Sequence, residues 1–163
     1  MLKEQIAARL ETAFSHYGFA EPSVSQLKTA CNVSLRTLYK HYPSKEIMTV
    51  AALEYRHKRY MTFLRSTQTF EKLNQWMTEF APNGCMSLNA LAAFPENTDI
   101  KAAVMQHKHD VRVLLGEQAQ RPDLSMALFL LHEGVSSVWP ILGYDAIESA
   151  KHSIKQMMDI RKQ

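Results

Sequence analysis

The sequence predicts an all-α protein, and three observations support that prediction. Only five of the 163 residues are glycine and 46% are hydrophobic, enough for one substantial core or for two modules that share a continuous helix. Apolar residues recur every three or four positions, as along one face of a helix, and runs that alternate like a β-strand are few. These stretches are bounded by residues that mark the starts and ends of helices, namely serine, asparagine, glycine and proline.

The first helix is predicted from an apolar face close to the N-terminus. At helical spacing this face contains Ile6, Leu10, Ala13, Phe14 and Tyr17. Gly18 ends the helix, and Phe19 is expected to close a small core from the connecting loop. The first helix therefore serves as a lid on the two short helices that follow.

Residues 23–45 are expected to form two short helices, a tight turn and the entrance to a further helix. Ser23 and Gln26 make the Ser-x-x-Gln pattern of a capping box, so a helix should begin at Ser23. Asn32 tolerates the left-handed backbone that ends a helix, and Ser34 caps the next helix at once. Such short spacing is typical of a helix-turn-helix motif, which predicts DNA binding.

The second of these helices carries the residues expected to contact DNA. Leu35, Arg36, Thr37, Tyr39 and Lys40 fall on one arc, which suits a major groove, while Leu38 and Tyr42 turn toward the core. Arg36 is expected to bond a guanine edge, and Lys45 to meet a phosphate at the N-terminus of the helix capped by Ser44. The complete predicted DNA-binding set is Ser23, Ser34, Leu35, Arg36, Thr37, Tyr39, Lys40, His41 and Lys45.

This segment resembles the DNA-binding motif of the TetR family of bacterial transcription regulators. The matching positions are Ser23-Val24, Leu27, Ala30, Val33-Ser34, Thr37-Leu38-Tyr39, Tyr42 and Ser44-Lys45-Glu46. The resemblance implies a helix-turn-helix DNA-binding domain over residues 1–45, joined by a continuous fourth helix to a helical ligand-binding and dimerisation domain over residues 46–163. It also implies a regulator, most often a repressor, that leaves a palindromic operator when a small molecule binds.

Further helices are predicted after the motif. The fourth runs from Ser44 to about residue 65, with the segment 57–59 on its solvated face, and others cover about 69–81, 85–94 and 97–119. The segment 124–142 is apolar nearly all round, so we expect a partner subunit to cover one side of it. With the last helix it should build a twofold dimer over residues 123–160, which the resemblance describes as a four-helix bundle.

A pocket for a small, largely apolar effector is expected within residues 60–140. The candidates are bulky for so small a module: Phe63, Trp76, Phe80, Met86, Phe94, His107 and Trp139. Plain core packing is the alternative role for each of them. A helical effector-binding or protein-interaction module that does not bind specific DNA is the alternative function for the whole chain.

Charge and motif content restrict the functional classes to which the protein can belong. Residues 1–60 hold nine Lys/Arg against five Asp/Glu, and residues 61–163 hold ten against eleven, so the basic excess lies with the motif. Nucleotide-binding and hydrolase motifs are absent from the sequence, which predicts neither an enzyme nor a cofactor, and no metal-ligand spacing is present. Cys31 is expected in the core, whereas a redox role for Cys85 stays open. Without a signal-like segment or an apolar run of about 18 residues, the chain is expected to be cytoplasmic and not to span a membrane.

Overall fold

The structure, a computed structural model, describes residues 1–67 and 69–160, apart from the side chains of Thr69 and Glu71. Over these residues the regular secondary structure is entirely helical, which confirms the predicted fold class. The α-helices are α1 Leu2–Tyr17, α2 Val24–Cys31, α3 Leu35–His41, α4 Lys45–Ser66, α5 Thr69–Phe80, α6 Met86–Ala93, α7 Thr98–Gln118, α8 Ser125–Leu142 and α9 Tyr144–Asp159, with a 3₁₀ turn at Pro122–Leu124 before α8.

The chain folds into two compact units. One contains residues 1–62 and 86–107, and the other contains residues 63–85 together with the chain from residue 108 onward. The predicted division after residue 45 was drawn between a predicted DNA-binding part and the rest of the chain. It is a functional division and does not describe how the helices pack. That functional boundary stays a prediction.

The core of the first unit is built by α1, α2 and α3. Leu10, Leu27 and Leu38, one from each helix, are fully buried. Phe19 stacks on Phe14 with ring centroids 4.8 Å apart, so the loop after α1 does close this core as predicted. The same apolar cluster continues onto α4, α6 and α7 through Met48, Ala52, Leu53, Met86, Ala90, Ile100 and Val104.

A buried ion cluster ties α1 to α4 in this unit. Glu11 is only 4% exposed, and its two carboxylate oxygens accept from Arg56 Nη1 at 2.7 Å and from Arg59 Nη1 at 2.9 Å. His57 stacks on His107 of α7, with ring centroids 4.1 Å apart. The prediction of a solvated face over residues 57–59 was therefore wrong for His57 and Arg59 and correct for the exposed Lys58.

In the second unit α8 packs against both α5 and α9. Leu128 and Val135 lie on the buried side of α8, and Ile147 and Ala150 on that of α9. The opposite side of α8 is open: Leu130 is 62% exposed. Among the described residues, the apolar helix is covered on the side of Leu128 and Val135. Cover of its other side by a partner subunit stays a prediction.

The same helix qualifies the expectation about membrane spans. Within the described residues one segment, Pro122–Leu142, is long and apolar enough to be a candidate span by length and composition, with a mean hydropathy of 1.3. Polar residues interrupt it: His132 and Ser136 are buried, and Glu133 is ion-paired with Lys108. A charged side chain at the middle of a bilayer costs several kcal/mol, so these residues favour a helix packed in protein.

Candidate nucleic-acid interface

The start and end of α2 are fixed by local hydrogen bonds. Ser23 Oγ accepts from the Gln26 N–H at 3.2 Å, and Gln26 Oε1 accepts from the Ser23 N–H at 2.8 Å, so the predicted capping box is present. Asn32 ends the helix in the left-handed conformation, with φ 52° and ψ 48°, as predicted. Arg9 of α1 adds a bond to the Cys31 carbonyl at 2.6 Å. The capping contacts fix where α2 begins and ends, and the bond from Arg9 ties its C-terminal end to α1.

Helix α3, the predicted recognition helix, is oriented from both ends. Ser34 Oγ accepts from the Thr37 N–H at 3.0 Å, which places the N-cap where it was predicted. Leu38 is fully buried, and Tyr42, 5% exposed, donates its hydroxyl to the Lys3 carbonyl at 2.9 Å. Because the apolar side of α3 is anchored in this way, its other side is presented outward.

The outward side of α3 carries the side chains that the sequence assigned to DNA. Arg36 and Lys40 are exposed, as are Leu35 (44%) and Tyr39 (41%). Thr37 and His41 are half-buried, and the Thr37 hydroxyl lies 2.8 Å from Ser34 Oγ. The structure therefore brings four of the predicted residues onto one open helical surface.

The charge of this segment suits a polyanion. From residue 22 to residue 45 the sequence contains four Lys/Arg and no Asp/Glu. The segment itself carries no acidic side chain, but Glu21 and Glu46 flank it and act on Lys45. Lysine and arginine side chains supply the attraction that dominates non-specific DNA binding.

Lys45 has a protein partner that the sequence did not reveal. Its Nζ donates to the Ala20 carbonyl at 3.1 Å, and burial lowers the pKa of its ammonium group despite the nearby acids Glu46 and Glu21. The position of a lysine at a helix N-terminus is thus explained in part by this internal bond. Contact with a phosphate stays a prediction for Lys45.

The predicted effector residues do not all lie in one unit. An aromatic cluster in the second unit contains Phe63, Trp76 and Phe80. The ring centroid of Trp76 lies 5.3 Å from that of Phe63 and 4.9 Å from that of Phe80. Trp139 belongs to the same unit. Met86, Phe94 and His107 belong to the other unit. Met86 is a core residue there, and Phe94 packs against that core. Effector binding by any of these residues stays a prediction.

Sequence reasoning missed two side chains of α1 that link it to later helices. Glu11 and Arg9 lie on α1, and each reaches a partner more than twenty residues away. A detectable signal existed for Glu11, since it interrupts the apolar face of the first helix between Leu10 and Ala13. For Arg9 no local pattern predicts the bond.

Solved structures share this architecture over nearly the whole chain. The reduced form of NemR from E. coli aligns with a TM-score of 0.79 at 20% identity, over 95% of this chain and 96% of that one. SCO4454, a TetR-family transcriptional regulator from Streptomyces coelicolor, aligns with a TM-score of 0.77 at 17% identity, over 96% of both chains. The chain has the TetR-regulator fold. A TetR transcription regulator from Haloarcula marismortui aligns with a TM-score of 0.74 at 16% identity, over 97% of this chain and 96% of that one.

Identities of 16–20% establish the TetR fold alone. No protein-family model and no curated protein sequence matches the chain. A shared fold does not assign roles to individual side chains. The exposed side of α3, with Arg36 and Lys40, is the feature whose geometry indicates a function.

Proposed function

We propose that this protein is a dimeric transcription regulator, acting as a repressor, whose α3 enters the major groove of an operator. The observation that carries the proposal is the open side of α3, where Arg36 and Lys40 project from a helix anchored by Leu38. Arginine at such a position donates two hydrogen bonds to guanine, and lysine neutralises phosphate. The TetR fold supports the proposal, since the solved neighbours include proteins described as transcription regulators.

A gel-shift titration on the DNA flanking the protein's own gene tests DNA binding. We expect a saturable complex that survives an excess of unrelated duplex. The Arg36→Ala/Lys40→Ala double variant should lose it. The matched control is Lys155→Ala, which removes a positive charge from the exposed side of α9 and should bind like the wild type. Equal binding by the double variant and the control would overturn the proposal and favour the module that does not bind specific DNA.

The open side of α8 supports the dimer. At intervals of three or four residues it presents Met126, Leu130, Gly134, Ser137 and Ile141, all exposed. A Cβ built on Gly134 would meet nothing within 4 Å, so this part of the helix is bare. Small residues between apolar ones let a second helix approach closely, and a self-complementary stripe suits twofold symmetry. The open side of α9 is mostly polar, so we assign most of the interface to α8.

Such a dimer would act in the cytoplasm, where DNA is accessible. Its interface would account for the apolar composition of α8. Two recognition helices related by a twofold axis require a roughly palindromic operator. Burying the α8 stripe against a second copy removes its apolar side chains from water, which is the main driving force for association.

A small, largely apolar effector is the proposed signal. The aromatic cluster of Phe63, Trp76 and Phe80 supports a site in the second unit, because apolar and aromatic side chains together supply most of the lining of such pockets. The effector would favour a conformation of α4 in which the two recognition helices no longer match their half-sites. A coupling free energy of ~1 to 3 kcal/mol changes DNA affinity about 5- to 150-fold.

Thermal-shift screening of apolar and aromatic metabolites tests the effector proposal. Each compound that raises the unfolding temperature is then titrated in the presence and absence of operator. Reciprocity requires operator DNA to weaken effector binding by the same factor by which the effector weakens DNA binding. Compounds that stabilise the protein but leave its DNA affinity unchanged would refute the inducer role.

A further inference from the structure

A groove lies in the first unit, where the end of α1 meets α2. Its volume is about 430 Å³, within the range of sites that hold small molecules. The floor is apolar and buried, and it is made by Ala13, Pro22 and Leu27. Tyr17 and Glu21, both exposed, line the groove at its rim. The groove shares no lining residue with the outward side of α3 or with the stripe on α8.

The chain around the end of α1 leaves the ring of Tyr17 outside the core. Gly18 ends α1 with φ +75°, a backbone conformation that favours glycine, and Phe19 then stacks on Phe14 in the core. The sequence predicted Tyr17 on the apolar face of the first helix, but Tyr17 is 59% exposed. Its ring meets the ring of His16 at nearly a right angle, with centroids 4.5 Å apart. A large part of the Tyr17 ring is therefore accessible to a ligand.

The polar rim of the groove offers hydrogen-bond acceptors. Among the described residues, no hydrogen bond or ion pair engages the Glu21 carboxylate, although its charge acts on Lys45. Lys45 itself donates to the Ala20 carbonyl. The Thr29 hydroxyl donates to the Ser25 carbonyl at 3.1 Å, so its oxygen can still accept. A carboxylate without a partner, close to an exposed aromatic ring, attracts a cation, because the face of the ring is also negative.

We propose that this groove binds small aromatic ammonium compounds. The ring of the ligand packs on the floor formed by Ala13 and Leu27, and its ammonium group lies between the Tyr17 ring and the Glu21 carboxylate. Cation–π contact and ion pairing then select a cation over a neutral or anionic compound of the same shape. Binding of the ligand does not depend on the proposed DNA-binding function.

A bound cation also changes the charge next to the predicted DNA surface, and this consequence rests on the proposed function. Glu21 immediately precedes the segment 22–45, which contains four Lys/Arg and no Asp/Glu. The ammonium group offsets the charge of Glu21 and so reduces its repulsion of phosphates. This ligand therefore strengthens DNA binding, whereas the proposed effector of the second unit weakens it.

Three indole compounds that differ in charge test the site on the full chain at pH 7 without DNA. Tryptamine carries an ammonium group, tryptophol a neutral hydroxyl and indoleacetate a carboxylate at the end of the side chain. Chemical-shift titration of the isotope-labelled protein measures the affinity and locates the contact. We expect shifts within residues 13–30 and about tenfold tighter binding of tryptamine than of tryptophol, with indoleacetate the weakest. Equal affinities for tryptamine and tryptophol, no binding of tryptamine, or shifts confined to other residues would overturn the proposal.

Substitutions at two exposed positions separate the two contacts. Glu21→Gln should weaken tryptamine binding about threefold and leave tryptophol binding unchanged. Tyr17→Ala should weaken tryptamine binding about fivefold, and Tyr17→Phe should keep most of the affinity, because phenylalanine retains the aromatic face. The matched control is Glu117→Gln at an exposed position of α7, which should bind tryptamine like the wild type. Tryptamine affinity that is unchanged in Glu21→Gln, or equally lowered in Glu117→Gln, would overturn the proposal.

DNA titrations with and without saturating tryptamine test the effect on DNA binding. In the wild type we expect tryptamine to tighten DNA binding about two- to fivefold. Glu21→Gln should bind DNA more tightly than the wild type without any ligand and should not respond to tryptamine. A loss of DNA affinity on addition of tryptamine would refute this consequence. If neither protein binds DNA, the proposed function fails, and the titration without DNA still decides whether the groove binds aromatic cations.

Discussion

Substitution of Arg36 distinguishes a side chain that contacts a base from one that contacts a phosphate. It projects from α3 with an exposed guanidinium. Arg36→Ala should cost ~1 to 3 kcal/mol on the best site and relax the preference at one base pair, because a bidentate contact to guanine is lost. Binding-site selection with wild type and variant measures both quantities, and an unchanged sequence preference in the variant would contradict the assignment.

Lys45→Ala gives the matched comparison for a phosphate contact. It should weaken binding to all sequences alike and lower the salt slope by roughly one. The bond from Lys45 to the Ala20 carbonyl makes part of this lysine's role structural, so unfolding of the variant is measured alongside.

Glu11 joins α1 to α4 through its ion pairs with Arg56 and Arg59. Glu11→Gln leaves Arg56 and Arg59 without their shared carboxylate, and breaking a buried ion pair costs roughly 3 to 5 kcal/mol. Partial exposure of Arg59 reduces the loss, so we expect ~2 to 3 kcal/mol from urea unfolding. The control is Glu96→Gln at an exposed position, which should change the free energy of unfolding little. Equal losses for the two variants would contradict a structural role for Glu11.

Sequence predicted individual residues well where their interactions are local. The caps at Ser23, Ser34 and Asn32 depend on partners within a few positions, and all three were correct. Lys45 and Arg59 were different, because their partners, the Ala20 carbonyl and Glu11, come from elsewhere in the chain. A pattern within one helix carries no information about such contacts.

At the scale of elements, the turn between α2 and α3 sets the direction in which α3 leaves α2. Asn32 holds a positive φ of 52°, which costs a residue with an ordinary side chain about 1 to 2 kcal/mol. Asn32→Ala should therefore lower the free energy of unfolding by ~1 kcal/mol, whereas Asn32→Gly should be neutral or slightly stabilising. Thermal unfolding of the two variants tests this, and a larger loss for glycine than for alanine would refute the account of the turn.

Helix boundaries were predictable because proline, glycine, serine and asparagine mark them. The start of α7 shows why: a helix was predicted from about residue 97, and the Ile100 N–H donates to Asn97 Oδ1 at 2.9 Å, as at a helix cap. The open side of α8 was harder to place. Its apolar composition indicated that protein covers α8 on two sides. Only the fold shows that Val135 faces the chain's own interior and that Leu130 faces outward.

At the scale of the whole molecule, that distinction sets the test of the dimer. Val135→Asp would bury a charge inside the subunit, so it reports on folding rather than on assembly. Leu130→Asp should instead give a folded monomer at micromolar concentration, because it places a charge in the middle of the interface. Met105→Asp is the control: Met105 is 64% exposed on α7 and belongs to the first unit, not to α8, and its variant should stay dimeric. Light scattering distinguishes the outcomes, and a dimeric Leu130→Asp variant would refute the α8 interface.

The effector pocket is the part of the whole molecule that sequence predicted least. Large apolar residues serve a core and a pocket equally well, and periodicity does not distinguish the two. The structure assigns Met86 to the core of the first unit and groups Phe63, Trp76 and Phe80 in the second. A thermal shift that disappears in Trp76→Ala but persists in Phe94→Ala would place the effector at the aromatic cluster.

Selection of bound duplexes from a random library by the purified wild-type protein tests the central claim most directly. A twofold dimer with one recognition helix per subunit should enrich inverted half-sites, with centres separated by about one or more turns of roughly 10.5 base pairs. The Leu130→Asp monomer should lose that symmetry and bind single half-sites weakly. Enrichment of an unrepeated site, or of no sequence at all by a folded, dimeric protein, would contradict the account.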